Sequence, residues 1–121
     1  MGKKRILLVD DSDTILVFEK LMLGRDYETI TAKNGRLALQ MAIKEKPDLI
    51  LMDIMMPEMD GIETLRAMRA QEATKKIPII MVTTKSEEAR VETCCRLGCS
   101  DYINKPIDKM ELLAKVKKFL S

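Results

Sequence analysis

Three short runs constrain the fold more than anything else in this chain: "RILLVD" (5–10), "DLILMD" (48–53) and "IPIIMVT" (77–83) are almost unbroken stretches of branched or aliphatic residues. A strand with one wet face alternates apolar and polar residues. Unbroken runs of this length suit strands covered on both faces, as in a parallel sheet flanked by helices. A weaker run, "SDYIN" (100–104), and the mixed "YETIT" (27–31) complete the set, and the mixed character of 27–31 suits an edge strand.

Helical patterns fill the intervals. Ile15, Leu16, Phe18, Met22 and Leu23 recur at near-helical spacing over 14–23, with Ser12 or Asp13 available as N-cap. The segment 34–46 starts after Asn34 and stops before Pro47, and 60–71 has Asp60 as cap with Glu63 at the capping-box position. Ser86 is the expected cap of a helix over 86–98 that Gly98 stops, and Asp108 with Glu111 opens the last helix, 108–120. Strand then helix, five times over, is the alternation of a doubly wound α/β sheet. With no repeat, low-complexity stretch or linker, residues 1–121 read as one domain with no output domain.

Composition removes several function classes. The 21 basic and 19 acidic residues leave a net charge of +2, and aromatics are only 3% of the chain, so neither a basic field nor a base-stacking platform for nucleic acid is expected. Apolar content is too high for disorder, yet no run approaches the roughly 18 apolar residues of a membrane span. The start "MGKKRILLVDD" meets acid too early for a signal peptide, so the expected location is the cytoplasm. Cys94, Cys95 and Cys99 lack CxxC spacing and read as reduced packing residues. The absence of histidine removes Ser-His-Asp and Cys-His catalysis and any internal phosphohistidine.

In a doubly wound sheet, ligands bind beyond the carboxyl ends of the strands, where the strand order reverses. Here those ends carry Asp10 and Asp11, Asp53, Thr83 and Thr84, and Lys105 with Pro106. Taken singly, a strand-end Asp is a cap or turn residue, a strand Thr is ordinary, and a Lys is a solvated charge. Their joint placement at successive strand ends is what points to a site. Three carboxylates in one pocket need a counter-charge, and an all-oxygen donor set suits Mg²⁺ or Mn²⁺. Lys105 then offsets the remaining charge, and an arriving phosphoryl group would meet metal, ammonium and the Thr83 hydroxyl.

"ILLVDDS", "DLILMDIMMPEMDG", "PIIMVTT" and "DYINKP" together resemble the signature segments of response regulator receiver domains of two-component signalling, and of single-domain chemotaxis-regulator-like members in particular. The resemblance implies a flavodoxin-like five-stranded fold with strand order 2-1-3-4-5. It implies that Asp53 accepts a phosphoryl group from a histidine kinase or phosphotransfer protein. It further implies that Asp11, Asp53 and the Met55 backbone carbonyl bind Mg²⁺ directly, with Asp10 acting largely through a metal-bound water. Lys105 would contact the phosphoryl group across a cis peptide to Pro106, Thr83 would turn its hydroxyl toward the phosphate, and Tyr102 would move inward. The only catalysis implied is of the chain's own aspartyl phosphorylation and dephosphorylation.

A monomer signalling through a protein effector on residues 86–120 is the resulting expectation, with a phosphorelay intermediate as the alternative. Thr84 departs from the small residue, often alanine, usual after the switch threonine; its larger side chain would slow loss of phosphate, although Met55 and Lys85 also flank the path. A haloacid-dehalogenase-type phosphatase fits worse, because "DSDT" would need Thr or Val at Ile15 and Asp53 would go unexplained. No Gly-Lys-Ser/Thr occurs, which removes a P-loop enzyme, and a purely structural interaction module would not need all five site positions.

Overall fold

A computed structural model describes residues 2–120. It contains a five-stranded parallel sheet in the order β2-β1-β3-β4-β5. The strands are β1 (Lys4–Val9), β2 (Tyr27–Ala32), β3 (Leu49–Asp53), β4 (Ile79–Thr83) and β5 (Asp101–Asn104). Between and after them run α1 (Asp13–Leu23), α2 (Gly35–Glu45), α3 (Gly61–Ala70), α4 (Glu88–Leu97) and α5 (Lys109–Leu120).

The unbroken apolar runs are explained by where alternate residues go. Leu7, Val9, Ile50, Met52, Ile79 and Met81 pack on one face with Ala38 and Ala42 of α2, Leu65 and Met68 of α3 and Cys94 of α4. Ile6, Leu8, Leu49, Leu51, Ile80 and Val82 pack on the other with Leu16 and Leu23 of α1 and Leu112 and Val116 of α5. Both faces are dry, so neither set of alternate positions can be polar; each large side chain so buried contributes roughly 1.5–3 kcal/mol. The outer strand β2 is half-exposed along most of its length, which accounts for its mixed sequence.

Helix starts follow the capping residues in four of five cases. Ser12 Oγ accepts the Ile15 N–H, Asn34 Oδ1 the Leu37 N–H, and Asp108 Oδ2 the Glu111 N–H. Asp60 and Glu63 form a reciprocal capping box. The exception is α4. Ser86 does not cap it; residues Lys85–Glu87 form a 3₁₀ turn, where the Glu87 carboxylate accepts the Thr84 N–H as one half of a capping box and the Glu87 N–H returns to the Thr84 carbonyl. The pattern "TKSE" satisfies the S/T-x-x-E rule two residues before Ser86, which has Ala89 rather than an acid three positions on.

Since all five strands are parallel, their carboxyl ends share one rim. The order reverses between β1 and β3, so the rim is deepest there, between Asp10 and Asp53.

Candidate functional site

Asp10 and Asp11 follow β1 directly, and Asp53 is the last residue of β3. One carboxylate oxygen from each of the three lies within 4.8 Å of the others. Asp10 and Asp53 are buried and Asp11 is exposed, so the cluster is an acidic well with one accessible lip. Gly61 lets α3 begin hard against it. Its N–H donates to the Ile54 carbonyl at 2.8 Å, and a Cβ there would overlap the Asp53 carbonyl oxygen and sit 2.8 Å from the Ile54 Cα.

Lys105 reaches into the well from the far side. Its Nζ is 3.1 Å from Asp53 Oδ1 and 3.7 Å from Asp10 Oδ2, and the Lys105–Pro106 peptide is cis. Burial would lower the Lys105 ammonium, but the adjacent Asp53, then Asp10 and Glu19, outweigh it and hold the group above its ordinary value. One cation does not balance the acids. Burial, then the Asp10 charge, push the Asp53 carboxyl up to about 6 against the pull of Lys105. Burial raises Asp10 too, opposed by the Ser12 N–H that donates to its Oδ1 at 2.9 Å and by Lys105.

Two oxygens of this cluster, Asp10 Oδ2 and Asp53 Oδ1, are buried with the Lys105 ammonium as their one ion-pair partner among the described residues. Three carboxylates against one ammonium leave about two negative charges, which a divalent cation would neutralise. The donors are all hard oxygen, with neither sulfur nor nitrogen among them. The residues therefore fit Mg²⁺ or a similar ion, which takes few carboxylates and retains waters.

The remaining expected residues stand apart from the acids. Thr83 is fully buried at the end of β4, and its hydroxyl donates to Asn104 Oδ1 at 3.0 Å, across to β5. Tyr102 lies on the outer strand, 37% exposed, with Lys115 Nζ 5.3 Å from its ring centre and donating to its carbonyl. Met55 is exposed in the β3–α3 loop, its sulfur 3.4 Å from Arg90 Nη1. Thr84 does not stand free beside the site: its hydroxyl is 2.8 Å from Ser86 Oγ and 2.9 Å from Glu87 Oε1. The Lys85 side chain lies outside the described residues.

Two acids join the site that sequence reading passed over. Glu19 of α1 is 1% exposed, its Oε1 is without a hydrogen-bond partner, and burial followed by the charge of Asp10 pushes its carboxyl up to about 8. Its position is legible in hindsight, because Leu16, Glu19 and Leu23 form one buried stripe at helical spacing. Glu87 is 4% exposed and its charge adds to those raising Asp53.

The family model for the response regulator receiver domain matches residues 6–117. The chain is 42% identical over 118 residues to the alkaline phosphatase synthesis transcriptional regulatory protein PhoP of Bacillus subtilis, covering 97% of this chain but 48% of that protein, so it spans about half the relative's length. It is 38% identical to protein PilH of Pseudomonas aeruginosa, covering 97% of this chain and 98% of that one. Among solved structures it resembles the receiver domain of the sensor histidine kinase PA1611 from Pseudomonas aeruginosa, a structure with magnesium coordinated in the active site cleft. The TM-score is 0.89 at 31% identity, over 98% of both chains. An acidic well at the switch point of a β2-β1-β3-β4-β5 sheet, with a lysine bridging two of its acids, agrees with that kinship, and the chain belongs to the response regulator receiver domains of two-component signalling.

Proposed function

We propose that Asp53 is the phosphoacceptor, taking a phosphoryl group from a phosphohistidine of a partner kinase or phosphotransfer protein. The observation that carries this is the pairing of Asp53, buried at the end of β3, with Lys105 Nζ at 3.1 Å inside a cluster of three carboxylates. An Asp53 oxygen would attack phosphorus as the phosphorus–nitrogen bond breaks, giving an acyl phosphate and a free imidazole on the partner. Asp11, Asp53 and the Met55 carbonyl would hold Mg²⁺ directly and Asp10 through water; the ion would supply charge neutralisation for the incoming group. Lys105 would turn from the carboxylate to a phosphoryl oxygen, and burial of Asp53 keeps bulk water from the acyl phosphate.

Because the chain has no histidine, the donor comes from another domain. Val17, Phe18 and Leu21 are exposed on α1, and a groove of about 330 Å³ lined by Ile15, Phe18, Met22, Pro106 and Ile107 opens beside Lys105. This apolar groove beside the rim suits the donor, while the surface of residues 86–120, which lends Pro106 and Ile107 to the groove, suits a protein effector. A second phosphoryl charge at Asp53 gives Thr83 and Lys105 a new acceptor, so Thr83 would leave Asn104 and Tyr102 would turn inward. We place this switch in the cytoplasm, as a monomer acting by protein contact; among the described residues no helix is long and apolar enough to cross a membrane.

Acetyl phosphate or beryllofluoride with Mg²⁺ tests the assignment. Both should shift the spectrum of the wild type, and Asp53→Asn should lose the response entirely. An unchanged response in Asp53→Asn would rule Asp53 out as acceptor.

A further inference from the structure

The β4–α4 connection holds a buried acid that the chemistry above leaves unused. Glu87 Oε1 accepts the Thr84 N–H at 2.8 Å and the Thr84 hydroxyl at 2.9 Å, and the Glu87 N–H returns to the Thr84 carbonyl at 3.0 Å. Its other oxygen, Oε2, is buried without a hydrogen-bond partner. A capping box alone needs no burial, and leaving an ionised oxygen unpartnered inside a protein is costly. The placement therefore calls for a reason beyond helix initiation.

The direction of the Thr84 peptide supplies one. In a trans peptide the C=O and the following N–H point opposite ways. The Thr83 carbonyl points to β5, where it accepts the Lys105 N–H at 2.6 Å. The Thr84 N–H must then point to the β3 side. There Asp53 lies in register with Val82, and the Val82 carbonyl accepts the Ile54 N–H at 3.2 Å. Glu87 thus holds its carboxylate on the Asp53 side of β4. One turn later Arg90 fixes the start of α4 to the loop after Asp53, donating to Asp60 Oδ2 at 3.0 Å.

We propose that Glu87 is a resident anion: a positioning residue that occupies the Thr84 N–H and hydroxyl while Asp53 is unmodified, and is displaced when a tetrahedral anion forms on Asp53. This rests on the reading of Asp53 as phosphoacceptor. A single N–H cannot serve two anions well, and two like charges on one side of β4 repel. The phosphoryl oxygens take the donor, the Glu87 side chain swings to water, and the first turn of α4 moves with it. The strength of the Thr84–Glu87 pair then sets how readily the modified state forms.

Binding of beryllofluoride in the presence of Mg²⁺ decides the matter, measured by calorimetry and by the amide shifts of ¹⁵N-labelled protein. Glu87→Gln keeps the size and an acceptor for the Thr84 N–H but drops the charge, and should bind beryllofluoride about tenfold more tightly than wild type. Glu87→Ala should also bind more tightly, though its urea midpoint falls because α4 loses its box. The Thr84 amide should be among the most shifted on binding. If Glu87 serves only to start α4, Glu87→Gln binds no more tightly than wild type, and that result overturns the proposal while leaving Asp53 in place. Wild type that binds no beryllofluoride, or Asp53→Asn that binds as well, removes both readings together.

Discussion

The two halves of the carboxyl rim are built on opposite principles. On the β1 and β3 side, Asp10, Asp11 and Asp53 crowd within 4.8 Å, and two of their buried oxygens share the single ammonium of Lys105. On the β4 and β5 side the donors are taken: Thr83 by Asn104, Thr84 by Glu87, and Lys115 by Tyr102 and Asp101. The first half is under-satisfied and gains from any cation. The second must break existing bonds before it can respond, so it can rest in one state and change to another. Binding capacity lies in the repulsion, and switching lies in the satisfied bonds.

If that division is right, its largest test is at Lys105, the one cation among the described residues that pairs with both Asp10 and Asp53. Lys105→Met leaves the buried acids without their partner and should cost about 3 kcal/mol in urea unfolding at pH 8 without divalent cations. The cost should shrink at pH 5, where the acids take up protons. An equal cost at both pH values would mean that the acids are not what Lys105 balances.

Next comes the direction of the pH dependence. Glu19 and Asp53 are raised from ordinary values of 4.5 and 3.8 to about 8 and about 6, so the folded chain holds protons that the unfolded chain has released. Their contribution is fully present below the ordinary values and is lost as pH rises through about 6 and then about 8. Without divalent ions these groups make the fold less stable at pH 8 than at pH 5. Glu19→Gln should therefore add about 2 kcal/mol at pH 8 and almost nothing at pH 5, because it removes the charge and keeps the shape. Stabilisation by Mg²⁺ should grow over the same range, since the ion and the proton compete for Asp53 and Asp10. A gain from Glu19→Gln that is no smaller at pH 5 would show that Glu19 is not protonated there by burial.

The satisfied half gives a smaller effect. Asn104→Ala frees the Thr83 hydroxyl, and losing about 1 kcal/mol of competing hydrogen bond should tighten beryllofluoride binding by about fivefold. Weaker binding would mean that Asn104 helps to place Thr83 rather than hold it back.

This contrast also explains what could be read before the structure was known. The sheet was legible because both faces are dry, so five strand positions and their order followed from apolar runs and the resemblance that "MDIMMPEMDG" and "NKP" carry. The acids and Lys105 were legible because strand ends in a parallel sheet must share a rim. What escaped were acids whose role depends on which way a helix turns. Glu19 reads as one more charge on α1 until Leu16 and Leu23 are seen to flank it on the buried face. Glu87 escaped because a helix start at Ser86 placed it in a solvated first turn, whereas the chain tightens into a 3₁₀ turn that carries it inside. The Thr83–Asn104 bond joins two strand ends 21 residues apart, and no local pattern encodes it.

The smallest effect concerns Thr84, where the sequence suggests bulk and the structure shows a bonded group. In the unmodified chain the Thr84 hydroxyl spans Ser86 and Glu87; once Glu87 is displaced, the Ser86 contact remains to stiffen the loop in addition to the space the side chain fills. With Asp53 as phosphoacceptor, the attacking water would approach opposite the Asp53 oxygen, past this loop. Thr84→Ala removes the hydroxyl contact with Ser86, which the displacement of Glu87 leaves in place, together with the bulk of the side chain, so the loop should loosen in the phosphorylated state. Spontaneous dephosphorylation should quicken by about threefold, equivalent to roughly 0.7 kcal/mol of barrier. Thr84→Ser separates the two contributions: it keeps the hydroxyl and drops the methyl, so a wild-type rate assigns the slow loss to the bonds, and an alanine-like rate assigns it to bulk. Dephosphorylation in Thr84→Ala that is unchanged or slower would remove Thr84 from the control of phosphate lifetime altogether.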